Sequence, residues 1–267
     1  MKFQFISDIH LESRKKIPII EKIKDIDNLF LLGDIGIPGT DIYVEFMDWC
    51  SKNFTNVFII YGNHEYYNKN SKKSILIETM LDRKKYMINF SNIFFLDNSC
   101  VFININNKVT YDKPNDNNYI KIIGSTLWSN IDVKIAQNIN DYNNVFTTLE
   151  NKLTPYDTIE FFNISKKYIL NEINTDISKC ILLTHHGAHD LCNGFYEDSV
   201  LNSAYVTNIP ELLECKNLLA CINGHTHSNI DFIDCNIRFM ANCMGYIGER
   251  KDIVKYNKNA FFEFELK

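Results

Sequence analysis

Five short apolar runs, each closed by an island bearing histidine or aspartate, constrain this chain more than any other feature. Apart from Gln4, residues 3–6, 29–32, 57–61, 180–183 and 218–222 are apolar and rich in β-branched or aromatic side chains. Runs of this length, bounded by polar residues or glycine, predict buried strands. The islands that follow them are Asp8-Ile9-His10, Gly33-Asp34, Gly62-Asn63-His64-Glu65, Thr184-His185-His186 and Gly224-His225-Thr226-His227. Polar groups thus gather where strands end, which is where open α/β sheets place their sites. Six of the seven histidines lie in these islands, and His189 follows three residues after His186. A turn-capping aspartate or an exposed imidazole explains any one island. It does not explain their order and placement together.

The residue types suggest what such a cluster does. Carboxylates, imidazoles and an amide oxygen are hard-to-borderline ligands that suit Mn, Fe, Co, Ni or Zn better than a soft thiolate set would. Two such ions about 3.5–4 Å apart clamp a phosphate and generate a hydroxide nucleophile. One carboxylate must then bridge them, and a histidine outside the metal shell can protonate the leaving group. Asp8 and Asp34 are 26 positions apart and Asp34 and Asn63 are 29 apart, which fits two successive β-α units.

The ordered series DxH, GD, GNHE, HH and GHxH resembles the calcineurin-like metallophosphoesterase superfamily, and its THH and GHTH motifs resemble a bacterial-type subgroup. The resemblance runs from Asp8 to about Tyr246. It implies an α/β fold, a four-layer α/β/β/α sandwich of two mixed β-sheets flanked by helices. It also implies two divalent transition-metal ions, Mn, Fe or Zn. Asp8, His10, Asp34 and His227 would hold one; Asp34, Asn63, His185 and His225 would hold the other, with Asp34 bridging. His64 would be the acid at the leaving oxygen. His185 is preferred over His186 because it comes directly off its strand; His186 would then stand behind the ligands or face substrate, and His189 is a further substrate-facing candidate. An extended GHTH segment would set His225 and His227 on one face. An extended turn after Asn63 would point His64 the other way. Two stretches depart from the subgroup: Gly187-Ala188-His189 stands where relatives have Ala-Pro-Ser, and Asn242-Cys243-Met244-Gly245-Tyr246 stands for Asn-Pro-Arg-Gly-Tyr. Both bear on substrate preference, since neither removes a proposed ligand.

Charge and cysteine usage narrow the class further. The net charge of −5, from 28 basic and 33 acidic side chains, argues against a broad nucleic-acid-binding face. The eight cysteines form no CxxC pair and the first residues show no basic-then-apolar leader, so reduced cysteines in a cytoplasmic protein are expected. No apolar run approaches the ~20 residues that span a bilayer.

Between the islands, residues 11–27 are expected to form a loop with a short helix near Pro18. Ile42, Phe46 and Trp49 suggest a helix ending near Asn53. Ile75, Leu76, Met80 and Leu81 suggest another over 71–87. Strands are expected at 93–96, 100–105 and 119–123, with a surface loop over 106–118. Thr154-Pro155 opens a further helix with N-cap and N1 signals. Residues 187–207 are expected to form a lid or rim, and 209–215 a short helix. Strands at 230–233, 237–241 and 260–264 close a second sheet. The stretches Gly124-Ser125-Thr126-Leu127-Trp128-Ser129 and Asn140-Asp141-Tyr142 also resemble the subgroup, with no role assigned to them. No repeat or low-complexity tract interrupts the chain, so one domain over 1–267 is expected.

The leading functional expectation is hydrolysis of a phosphate monoester or a small phosphodiester, a cyclic nucleotide among them, by a metal-bridging hydroxide. A small phosphorylated substrate is the expected partner. Neither a membrane nor an extended nucleic acid is expected, and the oligomeric state is not encoded. The alternatives are a non-catalytic scaffold on this fold, as in a retromer subunit, and a nuclease like the superfamily's repair nuclease. All proposed ligand positions are filled, which disfavours the scaffold. The acidic balance and the lack of a DNA-capping domain disfavour the nuclease.

Overall fold

The computed structural model describes residues 1–67, 90–115, 118–175, 178–196, 198–249 and 255–265. The first three apolar runs form β1 (Lys2–Ile6), β2 (Asn28–Leu32) and β3 (Asn56–Ile60), which pair in parallel in that order. Every residue of β2 and β3 is buried, so these strands read as continuous rather than alternating apolar sequence. The strand period of two then assigns each side chain a layer. Leu29 and Leu31 pack with Tyr43, Phe46, Met47 and Cys50 of helix α1 (Asp41–Asn53). Phe30 and Leu32 pack on the opposite face, against the second sheet. The buried stripe of α1 is therefore rotated from the expected one, and Ile42 and Trp49 flank it half-buried.

Two edge strands complete the first sheet. Strand β4 (Ile93–Phe95) lies parallel to β3, and β12 (Phe261–Glu263) lies antiparallel to β1. The last strand was expected in the second sheet and instead closes the first. Its short pattern cannot specify which open edge it joins; Phe262 settles beside the aromatic layer of Phe3 and Phe30, whose rings stack at 4.6 Å.

The second sheet contains β5 (Ser99–Asn104), β6 (Val109–Thr110), β7 (Tyr119–Ser125), β8 (Cys180–Thr184), β9 (Leu218–Asn223), β10 (Asp231–Asp234) and β11 (Ile237–Ala241). Their order is β10-β11-β9-β8-β7-β5-β6, with a parallel centre and antiparallel flanks. Ile120, Ile122, Ile181, Leu183 and Ile222 face Phe3, Phe30 and Phe58 across the two sheets. On the outer face, Ile123, Leu182 and Cys221 meet Phe162, Ile169 and Ile173 of helix α3 (Pro155–Asn174). The layers run α/β/β/α, as expected. Helix α3 starts where the sequence indicates: Thr154 Oγ1 accepts from the Asp157 N–H, Asp157 Oδ2 accepts from the Thr154 N–H, and Pro155 fills the first turn.

Several connections differ from expectation. Only Leu11–Ser13 forms a turn of 3-10 helix in the segment before β2, and no helix starts at Pro18. The Gln4 amide holds this stretch instead, donating to the Glu21 carbonyl and accepting from the Ile23 N–H. The expected loop over 106–118 contains β6, paired with Phe102 and Ile103 of β5. Trp128 is buried between Tyr66 and Phe161 and belongs to the core. The helix expected over 71–87 lies outside the described residues. No described helix is long and apolar enough to cross a membrane.

Candidate metal centre

The loops after β1, β2, β3, β8 and β9 meet at one edge of the sandwich and carry all five islands. Their backbone is unusual. Asp8, His10, Asp34, His225 and His227 all have φ between 50° and 68°, a left-handed region that non-glycine residues adopt at a cost. The GHTH segment is thus not extended, and a shared strand face does not explain how its histidines are aimed. Asn63 is right-handed and His64 opens a 3-10 turn, so that turn is not extended either. Cross-loop hydrogen bonds hold the conformation: Asp8 N–H to the Gly33 carbonyl at 3.0 Å, and His10 N–H to the Asp34 carbonyl at 2.9 Å. The Glu65 carboxylate accepts from the N–H groups of Asp34, Ile35 and Gly62 and so ties two of the loops together.

Two groups of donors converge. His227 Nε2 is 3.3 Å from Asp8 Oδ1 and 3.1 Å from His10 Nε2. His185 Nε2 is 3.4 Å from Asp34 Oδ1 and 3.2 Å from Asn63 Oδ1, with the His225 ring 4.8 Å from the His185 ring. The other Asp34 oxygen, Oδ2, lies 3.9 Å from His10 Nε2. Asp8, His10 and His227 each offer one donor atom within 4.8 Å of the others, as do Asp34, His185 and His225. Asp34 faces both groups with different oxygens. His10, Asp34 and His64 form a third such set, so proximity alone does not separate His64 from the ligands.

The hydrogen bonds behind these imidazoles test whether cations fit. His10 Nδ1 lies 2.9 Å from Glu12 Oε1, His227 Nδ1 lies 2.8 Å from Glu249 Oε2, and His185 Nδ1 lies 2.8 Å from the Leu32 carbonyl. Each Nδ1–H therefore donates outward, and each ring turns its Nε2 into the cluster. The Nε2 atoms of His10 and His227 lie 3.1 Å apart, and although burial disfavours its charged form, Asp8 and Glu249 raise His227 to about 10, so the pocket draws positive charge. Burial opposes ionisation of Asp8, yet His227 holds its carboxyl down at about 2. Burial and the neighbouring His186 and His185 push His225 well below the ordinary imidazole range, leaving it neutral. The donor set fits divalent cations.

His64 stands at the edge of this cluster. Its Nδ1 is 3.0 Å from Glu12 Oε1 and its Nε2 is 3.2 Å from the Tyr246 hydroxyl. Its ring stacks on Tyr67 at 4.1 Å. Burial disfavours its charged form, but Asp34 and Glu12 outweigh burial and raise it to about 9. Next to the cluster lies a cavity of about 380 Å³, lined by His64, Asn63, Asp141, Asn193, Tyr205 and Tyr246 among others.

The calcineurin-like phosphoesterase family model matches residues 1–229, a span that takes in all five islands. The chain belongs to the calcineurin-like phosphoesterase family. Membership supports a metal-dependent phosphoesterase. An uncharacterized protein of Acanthamoeba polyphaga mimivirus is 30% identical over 278 residues, covering 95% of this chain and 94% of its own. A phosphopantetheinyl hydrolase from Mycobacterium tuberculosis shares the fold with a TM-score of 0.70 at 17% identity, over 92% of this chain and 89% of that one. A putative 5'-nucleotidase from Staphylococcus aureus does so with a TM-score of 0.50 at 18% identity; the match covers 92% of this chain but 48% of that one.

Two sequence-predicted residues of this phosphoesterase do not face the cavity. His186 is buried beside His225, ring to ring at 4.2 Å, with Nδ1 3.2 Å from the Thr126 carbonyl. Burial and His185 push it down to about 3. His189 packs against Phe239 and Phe232, and its Nε2 is 3.1 Å from Asp234 Oδ2. Neither lines the cavity.

Other residues at the site carried little sequence signal. Glu12 lies two residues past His10, Tyr246 stands in the divergent NCMGY stretch, and Asp141 in the NDY stretch, where they could have been suspected. Glu249 follows no motif. The segment over 187–207 supplies Asn193, Ser199, Leu201, Ala204 and Tyr205 to the cavity wall, so it does form a rim.

Proposed function

We propose that this phosphoesterase binds two divalent transition-metal ions, Mn, Fe or Zn, and hydrolyses a phosphate monoester or a small phosphodiester. Asp8, His10, Asp34 and His227 would hold one ion; Asp34, Asn63, His185 and His225 would hold the other. The observation that carries this reading is Asp34, whose two oxygens face two different imidazole groups. Such a pair of ions supplies a nucleophile at neutral pH and neutralises charge on the phosphoryl oxygens.

The chain's own side chains supply the rest. His64 borders the cavity and donates a proton from Nε2 to the departing oxygen, while Glu12 keeps its Nδ1 side fixed. The cavity, at about 380 Å³, has room for the organic part of a nucleotide-sized ester. A cyclic nucleotide fits these demands, as do phosphopantetheinyl or 5'-nucleotide esters like those named for the two solved structures. The net charge of −5 supports a small substrate over an extended nucleic acid, and reduced cysteines support the cytoplasm. The TLW and NDY stretches support the bacterial-type subgroup.

The test is a hydrolysis screen of metal-stripped protein resupplied with Mn, Fe or Zn, against aryl monoesters, aryl diesters and cyclic nucleotides. Turnover that a chelator abolishes and metal restores is the expected result. No turnover on any substrate with any metal would favour the scaffold reading instead.

A further inference from the structure

The geometry points to Asp141 as a positioning residue that decides which end of the Asn63 amide enters the metal centre. The inference rests on the ligand set proposed above. Asn63 differs from the other ligands in that set, because its carboxamide has one ligating end and one non-ligating end of nearly equal size. Shape cannot choose between oxygen and NH2. Hydrogen bonding has to.

Within the cluster, the group that meets the Asn63 oxygen is His185. His185 donates its Nδ1–H to the Leu32 carbonyl at 2.8 Å and turns its Nε2 toward Asn63. Asn63 Oδ1 lies 3.2 Å from that nitrogen. Asp141 fixes the amide from the other side. Its Oδ1 accepts from Asn63 Nδ2 at 2.7 Å and from the Tyr67 hydroxyl at 2.5 Å. That oxygen accepts whether or not Oδ2 carries a proton, so the effect does not depend on how Asp141 titrates. A flipped Asn63 would set oxygen against oxygen at the same short distance.

The placement is specific to the folded chain. Asp141 lies 78 positions after Asn63, at the start of the short helix α2 (Asp141–Asn144), and is buried there. Tyr67 comes from the turn that follows Asn63 and fixes Asp141 to it. The carboxyl group thus holds the amide with its oxygen inward before any metal binds. This is the work that partners behind a metal's ligands do, and losing such a partner typically costs about 10–100-fold in metal affinity.

The experiment measures Mn²⁺ binding by equilibrium dialysis and calorimetry, on wild type, Asp141→Asn, Asn63→Ala, Asn63→Asp and the double variant Asn63→Asp with Asp141→Asn. In Asp141→Asn the new NH2 can donate to a flipped Asn63 oxygen, so the discrimination disappears. One of the two ions should then bind about 10–100-fold more weakly, with the other unchanged and the metal-free protein melting as wild type does. In the Asn63→Asp background either oxygen can ligate, so Asp141→Asn should cost nothing. An equal loss in both backgrounds overturns the inference in favour of a general structural role. Wild-type affinity for both ions in Asp141→Asn also overturns it, provided Asn63→Ala weakens one ion. If Asn63→Ala keeps both ions at full affinity, the proposed ligand set fails instead. Should Asp141→Asn not fold, Tyr67→Phe takes its place, with one ion expected to bind about 3–10-fold more weakly and unchanged binding overturning the inference.

Discussion

The hydroxyl of Tyr246 lies 3.2 Å from Nε2 of His64, on the side of the ring opposite Glu12. The same Tyr246 ring stacks on His10 at 3.9 Å, so it covers a proposed ligand while it touches the proposed acid. It is 40% exposed and lines the cavity wall. Removing the hydroxyl alone should matter little: Tyr246→Phe is expected to change kcat/KM by about 2–10-fold, the worth of one hydrogen bond. Tyr246→Ala, which also uncovers His10, should cost more. Equal losses in the two variants would show that the ring does not contribute.

His64→Ala tests the acid directly. Expulsion of an alkoxide should slow by ~10²–10⁴-fold, while a nitrophenolate, which needs little protonation, should suffer less. Both ions should stay bound. Loss of a metal in this variant would put His64 in the ligand set with His10 and Asp34, the third close grouping in the cluster.

Replacing Asp34 should remove both ions, because its two oxygens face different groups. His227→Ala and His185→Ala should each weaken one ion only. Metal content after dialysis checks this, and Asp34→Ala protein that retains one ion at full affinity would end the bridging assignment.

Gly62 has no room for a side chain. A Cβ there would run into Asp34 Oδ1 and His185 Nε2, both of which face the proposed second ion. Gly62→Ala should therefore abolish binding at that site, or fail to fold. Protein that folds and binds two ions normally would mean that the loop gives way more easily than its packing implies.

His186 and His189 separate by burial and partner. His186→Ala removes a buried ring beside His225 and should lower stability by roughly 2–4 kcal/mol, read as a drop in the denaturation midpoint of the metal-free protein. His189→Ala loses its Asp234 contact, away from the cavity wall, and should leave kcat/KM within about 3-fold of wild type. A large change in substrate preference from His189→Ala would restore it as a substrate-facing residue.

The sequence by itself determines the sheets' central strands and the positions of the polar islands. Buried parallel strands require continuous apolar runs, and each run ends where the chain must leave the sheet, so 29–32 and 57–61 mark both a strand and the site at its end. The start of α3 is legible for a similar reason: the Thr154, Pro155 and Asp157 capping pattern acts within four residues. Tertiary structure alone decides what depends on contacts between distant segments. The edge that β12 joins, the left-handed turns that aim His225 and His227, and the partners behind the imidazoles have no periodicity to announce them. Glu249 reaches His227 across 22 positions and Asp141 reaches Asn63 across 78, because packed loops bring them together. Local pattern sets which residues leave a strand. Only the packing of the loops sets which hydrogen bonds they find.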